Sequence, residues 1–164
     1  MSNTNKVYIA LGSNKGDRLK HLQDAVDLIF KQIGKVNIIS KVYNTPALGF
    51  ESDDFLNTCL LIETPLEAQD VLQQLLQIET QLGRQRTENS GYEARTIDLD
   101  VLFFNDEIIE SKDLVVPHKE LHKRKFVLQP LFDIAPKYQH PVYQKSITEL
   151  LQDCDDKSAI ETIN

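Results

Sequence analysis

Cysteine is scarce in this chain: Cys59 and Cys154 are the only two, far apart in sequence. They are too few for a disulfide framework or a thiolate metal site. Long apolar runs are missing as well. The longest, residues 7–11, has five residues, against the ~20 a bilayer helix needs. Residues 1–6 are polar and lead straight into that run, with no secretory h-region between. These absences predict a cytoplasmic protein with reduced thiols and no membrane association. Positive charge is in deficit, with 18 Lys+Arg against 25 Asp+Glu and a net charge of −7. That balance argues against a broad nucleic-acid surface, which needs clustered cations to release counterions. The four histidines, His21, His118, His122 and His140, show no H-E-x-x-H spacing and no neighbouring cysteine, so zinc is not expected. There is no G-x-S-x-G, no Walker A loop and no G-x-G-x-x-G. The glycines of Gly12-Ser13-Asn14-Lys15-Gly16-Asp17 lack the Gly-Lys-Ser/Thr that a P-loop requires.

What remains is an ordinary globular balance. With 164 residues, 41% hydrophobic and 26% charged, the chain reads as one domain over 1–164. The acidic stretch 154–164 is expected to fray. Cationic charge gathers in residues 118–125, where Lys119, Lys123, Arg124 and Lys125 face Glu120 alone. A local basic patch on an acidic protein suits a small polyanion, although a solvated charged face has the same composition.

Residues 6–12 read as a buried strand ending at Gly12-Ser13-Asn14. Leu19, Leu22, Val26, Ile29, Phe30 and Ile33 then recur at helical spacing over 18–33, with Asp17 as cap and Gly34 beyond the end. A second strand is expected over 36–44, a loop over 45–54, and a third strand over 55–63. Thr64-Pro65-Leu66-Glu67 has the form of a capping box opening a helix. The stripe Leu66, Leu72, Leu75, Leu76, Ile78 and Leu82 carries that helix to Gly83. A fourth strand over 96–104, an Asn105-Asp106 turn and a short fifth strand at 108–109 follow. The order β-α-β-β-α-β predicts an α+β fold with a ferredoxin-like core: an antiparallel sheet with two helices on one face. Short helices over 126–134 and 147–151 are expected on the other, completing an αβα sandwich.

The sharpest chemical feature is Arg95-Thr96-Ile97-Asp98-Leu99-Asp100-Val101. On a strand, Asp98 and Asp100 share one face, their Cα atoms roughly 6–7 Å apart. Two carboxylates so placed can ligate a hard cation, or a pair of cations whose shells phosphate oxygens complete. A bare Asp-x-Asp also suits a solvated strand face. Adjacent like charges on a core strand call for compensating cations, however, and Arg95, Arg84 and Arg86 stand close in sequence. Arginine forks match phosphate oxygens and Mg²⁺ bridges carboxylate to phosphate, so a metal-plus-phosphate site is the better reading.

Taken in order, Ala10-Leu11-Gly12-Ser13-Asn14, Tyr43-Asn44-Thr45-Pro46-Ala47-Leu48-Gly49, Phe55-Leu56-Asn57, Ile78-Glu79 with Gly83-Arg84-Gln85-Arg86, the Arg95–Asp100 run, Val116-Pro117-His118, Arg124-Lys125-Phe126 and Pro130-Leu131-Phe132-Asp133-Ile134-Ala135-Pro136 resemble one family. It is 6-hydroxymethyl-7,8-dihydropterin pyrophosphokinase of folate biosynthesis. The resemblance implies transfer of diphosphate from ATP to the pterin hydroxymethyl group, leaving AMP. It implies two Mg²⁺ ions on Asp98 and Asp100, with Arg84 and Arg95 joining these acids in catalysis. Glu79, Arg84, Arg86, Arg95, His118 and Arg124 would serve ATP. The pterin would lie between Phe55 and Phe126, with Gly12, Thr45, Pro46, Ala47, Leu48 and Asn57 around it. Phe55 and Gly91-Tyr92-Glu93-Ala94 depart from the Tyr and the Trp-Gly-Pro-like run common in the family, as do Lys119 and Asp113 at positions often aromatic and arginine. A monomer with small-molecule substrates is the implied form. The competing readings are a two-metal phosphodiesterase or nuclease and a ferredoxin-like module that binds a ligand without turnover.

Overall fold

The computed structural model describes residues 4–46, 54–83 and 97–163. Strand β1 spans Asn5–Ser13 and helix α1 spans Arg18–Gln32, with the Asp17 carboxylate accepting the Lys20 N–H as cap. Next come β2 (Lys35–Ile39), β3 (Tyr43–Thr45), β4 (Phe55–Thr64), α2 (Ala68–Gln81) and β5 (Asp98–Phe104). The remaining elements are β6 (Ile109–Glu110), β7 (Val115–Val116), a short 3-10 turn at Leu121–Lys123, α3 (Lys125–Ile134), α4 (Ile147–Asp153) and β8 (Glu161–Thr162). Among the described residues no helix is long and apolar enough to cross a membrane.

The main sheet runs β5-β1-β4-β3-β8, antiparallel throughout, with β2 also paired to β4. This is the α+β, ferredoxin-like arrangement expected from the element order. Alternation along β1 divides the interior into two layers. Val7, Ile9 and Leu11 meet Leu22, Ala25 and Ile29 of α1 and Val71, Leu75 and Ile78 of α2. Tyr8 and Ala10 face the opposite way, toward Leu121 and the α3–α4 residues Val127, Leu128, Leu131, Ile147 and Leu150. Each fully buried Leu or Ile contributes ~1.5–3 kcal/mol.

A bulge in β5 sets the register near the site. Tyr8 pairs with Phe103 but Ile9 pairs with Val101, leaving Leu102 as the extra residue. Leu102 and Phe103 therefore both enter the α3–α4 core, while Leu99, Val101 and Phe104 stay in the α1–α2 core.

Five local expectations are corrected. The second strand is broken into β2 and β3, because the Ser40 hydroxyl accepts the Cys59 N–H at 2.9 Å in place of a ladder carbonyl. That bond, with a second between Ser40 Oγ and Thr58 Oγ1 at 2.9 Å, lets an extra residue bulge between the two pairings. Thr64 does not cap α2: it ends β4, donating to Ile33 O and accepting the Leu66 N–H, while Glu67 takes the N-cap position with no side-chain bond. The buried stripe of α2 is Ala68, Val71, Leu75, Ile78 and Glu79, so Leu72 and Leu76 lie at its border. The fifth short strand, β6, lies one residue later than expected and pairs with β7 in a separate ribbon. The tail does not simply fray: β8 pairs with β3, and Ile163 packs on the core, an apolar anchor in an acidic stretch.

Below the sheet, the His140 ring lies against Phe103 and Tyr143. Its Nδ1 accepts the backbone N–H groups of Val142 and Tyr143, so Nδ1 is the unprotonated nitrogen. Burial, and secondarily His122, pushes its pKa from 6.5 down to about 4. The unfolded chain thus binds a proton that the native fold refuses between those values, and stability falls as pH drops from 6.5 toward about 4. A histidine NMR titration is expected to place His140 in the acid part of that window; a midpoint near the ordinary value contradicts it.

Candidate active site

The register of the sheet assembles the candidate residues into rows. Gly12 on β1 pairs with Asp98 on one side and Asn57 on the other, and Asn57 pairs with Tyr43. The adjacent row on the same face is Asp100, Ala10 and Cys59, and on the far side of Asn57 lies the pair Phe55 and Thr45. Paired residues share a face, so Asp98, Asp100, Gly12, Asn57, Phe55 and Thr45 all open toward the α3 layer. With strands ~4.8 Å apart, the acids stand about 10 Å from Asn57 across the glycine.

Glycine at position 12 keeps that span clear. A Cβ there would lie 3.0 Å from Asn57 Oδ1 and 3.8 Å from the Phe55 ring. Asn57 is itself held in place, its Nδ2 donating to Thr45 Oγ1 at 2.9 Å with both residues buried. The amide is thereby oriented, its oxygen on the Gly12 side. If a flat heterocycle occupies this span, Gly12→Ala raises its KM about tenfold, near 1.4 kcal/mol, with little loss of stability. Unchanged KM would remove Gly12 from the site.

Among the described residues strand β5 lies at the sheet edge, and its outward backbone groups are used to fix the site. The Glu79 carboxylate, buried on α2, accepts the Leu99 N–H at 2.8 Å, between the two aspartates. Glu79 thus holds the acidic strand from the α2 side. The Leu102 carbonyl, at the bulge, accepts the His118 N–H at 3.0 Å and brings that residue to the edge. His118 Nδ1 accepts the Glu120 N–H at 3.2 Å, leaving Nε2 as the N–H donor of the ring. Burial and then Arg124 lower the His118 pKa, with Lys119 acting in the same sense and Asp98 and Glu120 opposing. His118, Arg124 and Asp98 therefore form one electrostatic neighbourhood, and the imidazole is neutral at pH 7 with one hydrogen to donate.

The other wall is the start of α3, which packs against β3 and β4. Arg124 stands at its N-cap position and holds its guanidinium 5.7 Å over the Phe126 ring. The Tyr43 hydroxyl donates to Asp133 Oδ2 at 2.7 Å and so ties α3 to β3. Burial and this bond raise the Tyr43 pKa well above its ordinary value, keeping the phenol protonated. Sequence reasoning did not find Asp133 as a tie, because its partner is remote in sequence. Pro46 follows β3. Arg84, Arg86, Arg95, Ala47 and Leu48, with the Gly91–Ala94 stretch, lie outside the described residues.

Among the described residues no three His, Cys, Asp or Glu side chains cluster as a self-sufficient metal site. Two carboxylates on one face of a strand are instead the donor set of a hard cation that completes its shell with water and phosphate oxygens, as Mg²⁺ does. The residues present fit such an ion.

The model of the family described as 7,8-dihydro-6-hydroxymethylpterin-pyrophosphokinase (HPPK) matches residues 8–136, which contain every candidate site residue. The chain belongs to this family. Relatives agree with the assignment. The 2-amino-4-hydroxy-6-hydroxymethyldihydropteridine pyrophosphokinase of Aquifex aeolicus is 39% identical over 144 residues, 87% of this chain and 88% of the relative. The protein of the same name from Bacillus subtilis is 42% identical over 137 residues, 82% of this chain and 81% of the relative. A crystal structure of HPPK-DHPS in complex with substrates matches the fold with a TM-score of 0.73 at 17% identity, over 92% of this chain. A Plasmodium falciparum HPPK-DHPS triple mutant gives 0.75 at 17% identity over 93%. The present chain spans 43% of the length of each of those two structures. At such identities these likenesses speak for the HPPK fold alone.

Proposed function

We propose that this chain transfers the β,γ-diphosphate of ATP to the hydroxymethyl oxygen of 6-hydroxymethyl-7,8-dihydropterin, a step of folate biosynthesis, acting as a pyrophosphokinase. The observation that carries this reading is the row in which Asp98 and Asn57 flank Gly12, within a chain matched by the HPPK family model. It supports the reading because acidic side chains and an oriented amide share one sheet face. The pterin ring stacks between Phe55 and Phe126, and Asn57, set by Thr45, reads its polar edge with Gly12, Pro46, Ala47 and Leu48 around it. His118 donates Nε2–H to the nucleotide phosphates, and Arg124, Arg84, Arg86 and Arg95 supply positive charge to the triphosphate. Asp98 and Asp100 hold two Mg²⁺ ions, which when bound offset charge on the transferring phosphates.

In the reaction the pterin alcohol oxygen forms a bond to the β-phosphorus as the bond from that phosphorus to the α–β bridging oxygen breaks. AMP leaves with the electron pair, and the alcohol proton is released. Catalysis of this kind rests on positioning and electrostatics. The protein acts as a cytoplasmic monomer on small molecules. Incubation with ATP, Mg²⁺ and the reduced pterin alcohol is expected to yield AMP and the pterin diphosphate. Formation of ADP, or no nucleotide change, rejects the reading, and cleavage of a phosphodiester under the same conditions would favour the two-metal hydrolase instead.

A further inference from the structure

Helix α3 carries two residues of the proposed site at its first turn, yet its own N-cap residue is Arg124, whose side chain makes no capping bond because a guanidinium only donates. The missing acceptor comes from the segment after α4. Asp156 Oδ2 accepts the Lys125 N–H at 3.1 Å, and Lys125 Nζ donates to Ser158 O at 3.4 Å. Asp156 is set for this by Ser158, whose N–H and hydroxyl both donate to Oδ1. Burial would raise the Asp156 pKa, but the bonds from Ser158 and Lys125 prevail and lower it. The carboxylate is therefore charged at pH 7, placed at the positive end of the α3 dipole.

The same segment then crosses to the far wall of the site. Glu161 and Thr162 of β8 pair with Asn44 and Tyr43 of β3, and the Ile163 N–H donates to Val42 O at 3.0 Å. One short run of chain thus grips both the α3 turn that bears Arg124 and Phe126 and the β3 strand that leads to Thr45. The sheet does not need this strand to bury its central residues, since β1 and β4 lie two or more strands away.

We propose that residues 155–163 are a positioning strap for the substrate site, with Asp156 as its clasp, setting the spacing between the Phe126 wall and the Thr45 wall. The proposal rests on the reading that the pterin lies between these walls. Asp156 touches neither substrate and acts through Lys125 and Phe126.

The test compares wild type with Asp156→Ala, Asp156→Asn and a chain ending at Ser158. Asp156→Ala is expected to raise the pterin KM about fivefold or more while kcat at saturation stays within about twofold. Asp156→Asn, which keeps an acceptor oxygen, recovers most of the loss, and the shortened chain behaves like Asp156→Ala. Unchanged KM in both Asp156→Ala and the shortened chain overturns the proposal, as does a loss of activity that only tracks the folded fraction. Amide hydrogen exchange on the same proteins separates this claim from the proposed reaction, because it needs no turnover. In Asp156→Ala, faster exchange must appear both at residues 125–127 and at 43–45. Exchange altered at Lys125 alone overturns the strap even if the wild type proves inactive toward the pterin.

Discussion

Asp98→Ala and Asp100→Ala are each expected to lower kcat roughly 1,000-fold or more, about 4 kcal/mol of transition-state stabilisation, while leaving the fold intact. Both side chains lie on the face of β5 that looks toward α3, half-buried, and neither belongs to the two apolar clusters. Their removal therefore makes no core cavity, and it relieves repulsion between neighbouring carboxylates. Circular dichroism and the thermal midpoint are expected to match wild type within a few degrees. Steady-state assays with saturating ATP and pterin give the rate. Near-normal kcat in either variant would defeat the assignment of this pair to the divalent cation. Glu79→Gln is a contrasting case: it keeps an oxygen for the Leu99 N–H, so it should do far less harm than loss of either aspartate.

The second large effect concerns the fold rather than the chemistry. Gly34, between α1 and β2, is pressed against the end of β4: a Cβ there would lie 2.1 Å from Glu63 O and 2.9 Å from Thr64 Cβ. Backbone cannot yield as a flexible side chain can. The contact is locked from the other side, where Thr64 Oγ1 donates to Ile33 O at 2.7 Å. Gly34→Ala is expected to cost about 3 kcal/mol or more as an overpacking strain. For a domain of this size the thermal midpoint then falls by roughly 6–12 °C. The folded fraction should retain ordinary kcat, because the strain lies away from the acidic end of β5. A denaturant or thermal midpoint unchanged from wild type would show that the turn adjusts freely.

Much of the architecture was legible because one physical signal dominated it. The alternation of faces along a strand lets the continuous apolar run of β1 meet two layers, and the three-and-four spacing in α1 reflects burial on one face, patterns that sequence displays directly. The same alternation placed Asp98 and Asp100 side by side, and it held because the β5 bulge falls beyond them, at Leu102. What escaped reading depended on groups brought together by folding. The break between β2 and β3 arises from a Ser40 hydroxyl bonding across to Cys59. The apparent capping box at Thr64 failed because α2 starts later, at Ala68, and the Thr64 hydroxyl stays with β4, donating to Ile33 O and accepting the Leu66 N–H.

The site shows the same division. Asp98 was nominated from its strand pattern, and Gly12, Asn57, Thr45, Phe55 and His118 through the family resemblance, and the structure brings them to one end of the sheet or its edge. The residues that hold them were not visible. Glu79 was nominated for the nucleotide, and its hold on the backbone between the aspartates shows only in the fold. Asp133 stood in a family-like motif with no role given and Asp156 in the acidic tail, and their bonds to Tyr43 and Lys125 appear only in the fold. Supporting groups act through backbone amides and single hydroxyls, which place few demands on local sequence pattern.

Divalent cations bound at Asp98 and Asp100 in the presence of nucleotide can be counted directly. Mn²⁺ can be titrated into the protein with a non-hydrolysable ATP analogue and free Mn²⁺ followed by electron paramagnetic resonance. Two bound ions per protein are expected in the ternary complex, beyond those held by the analogue alone, with their loss in both Asp98→Asn and Asp100→Asn. Equal Mn²⁺ uptake by wild type and both variants would contradict that expectation.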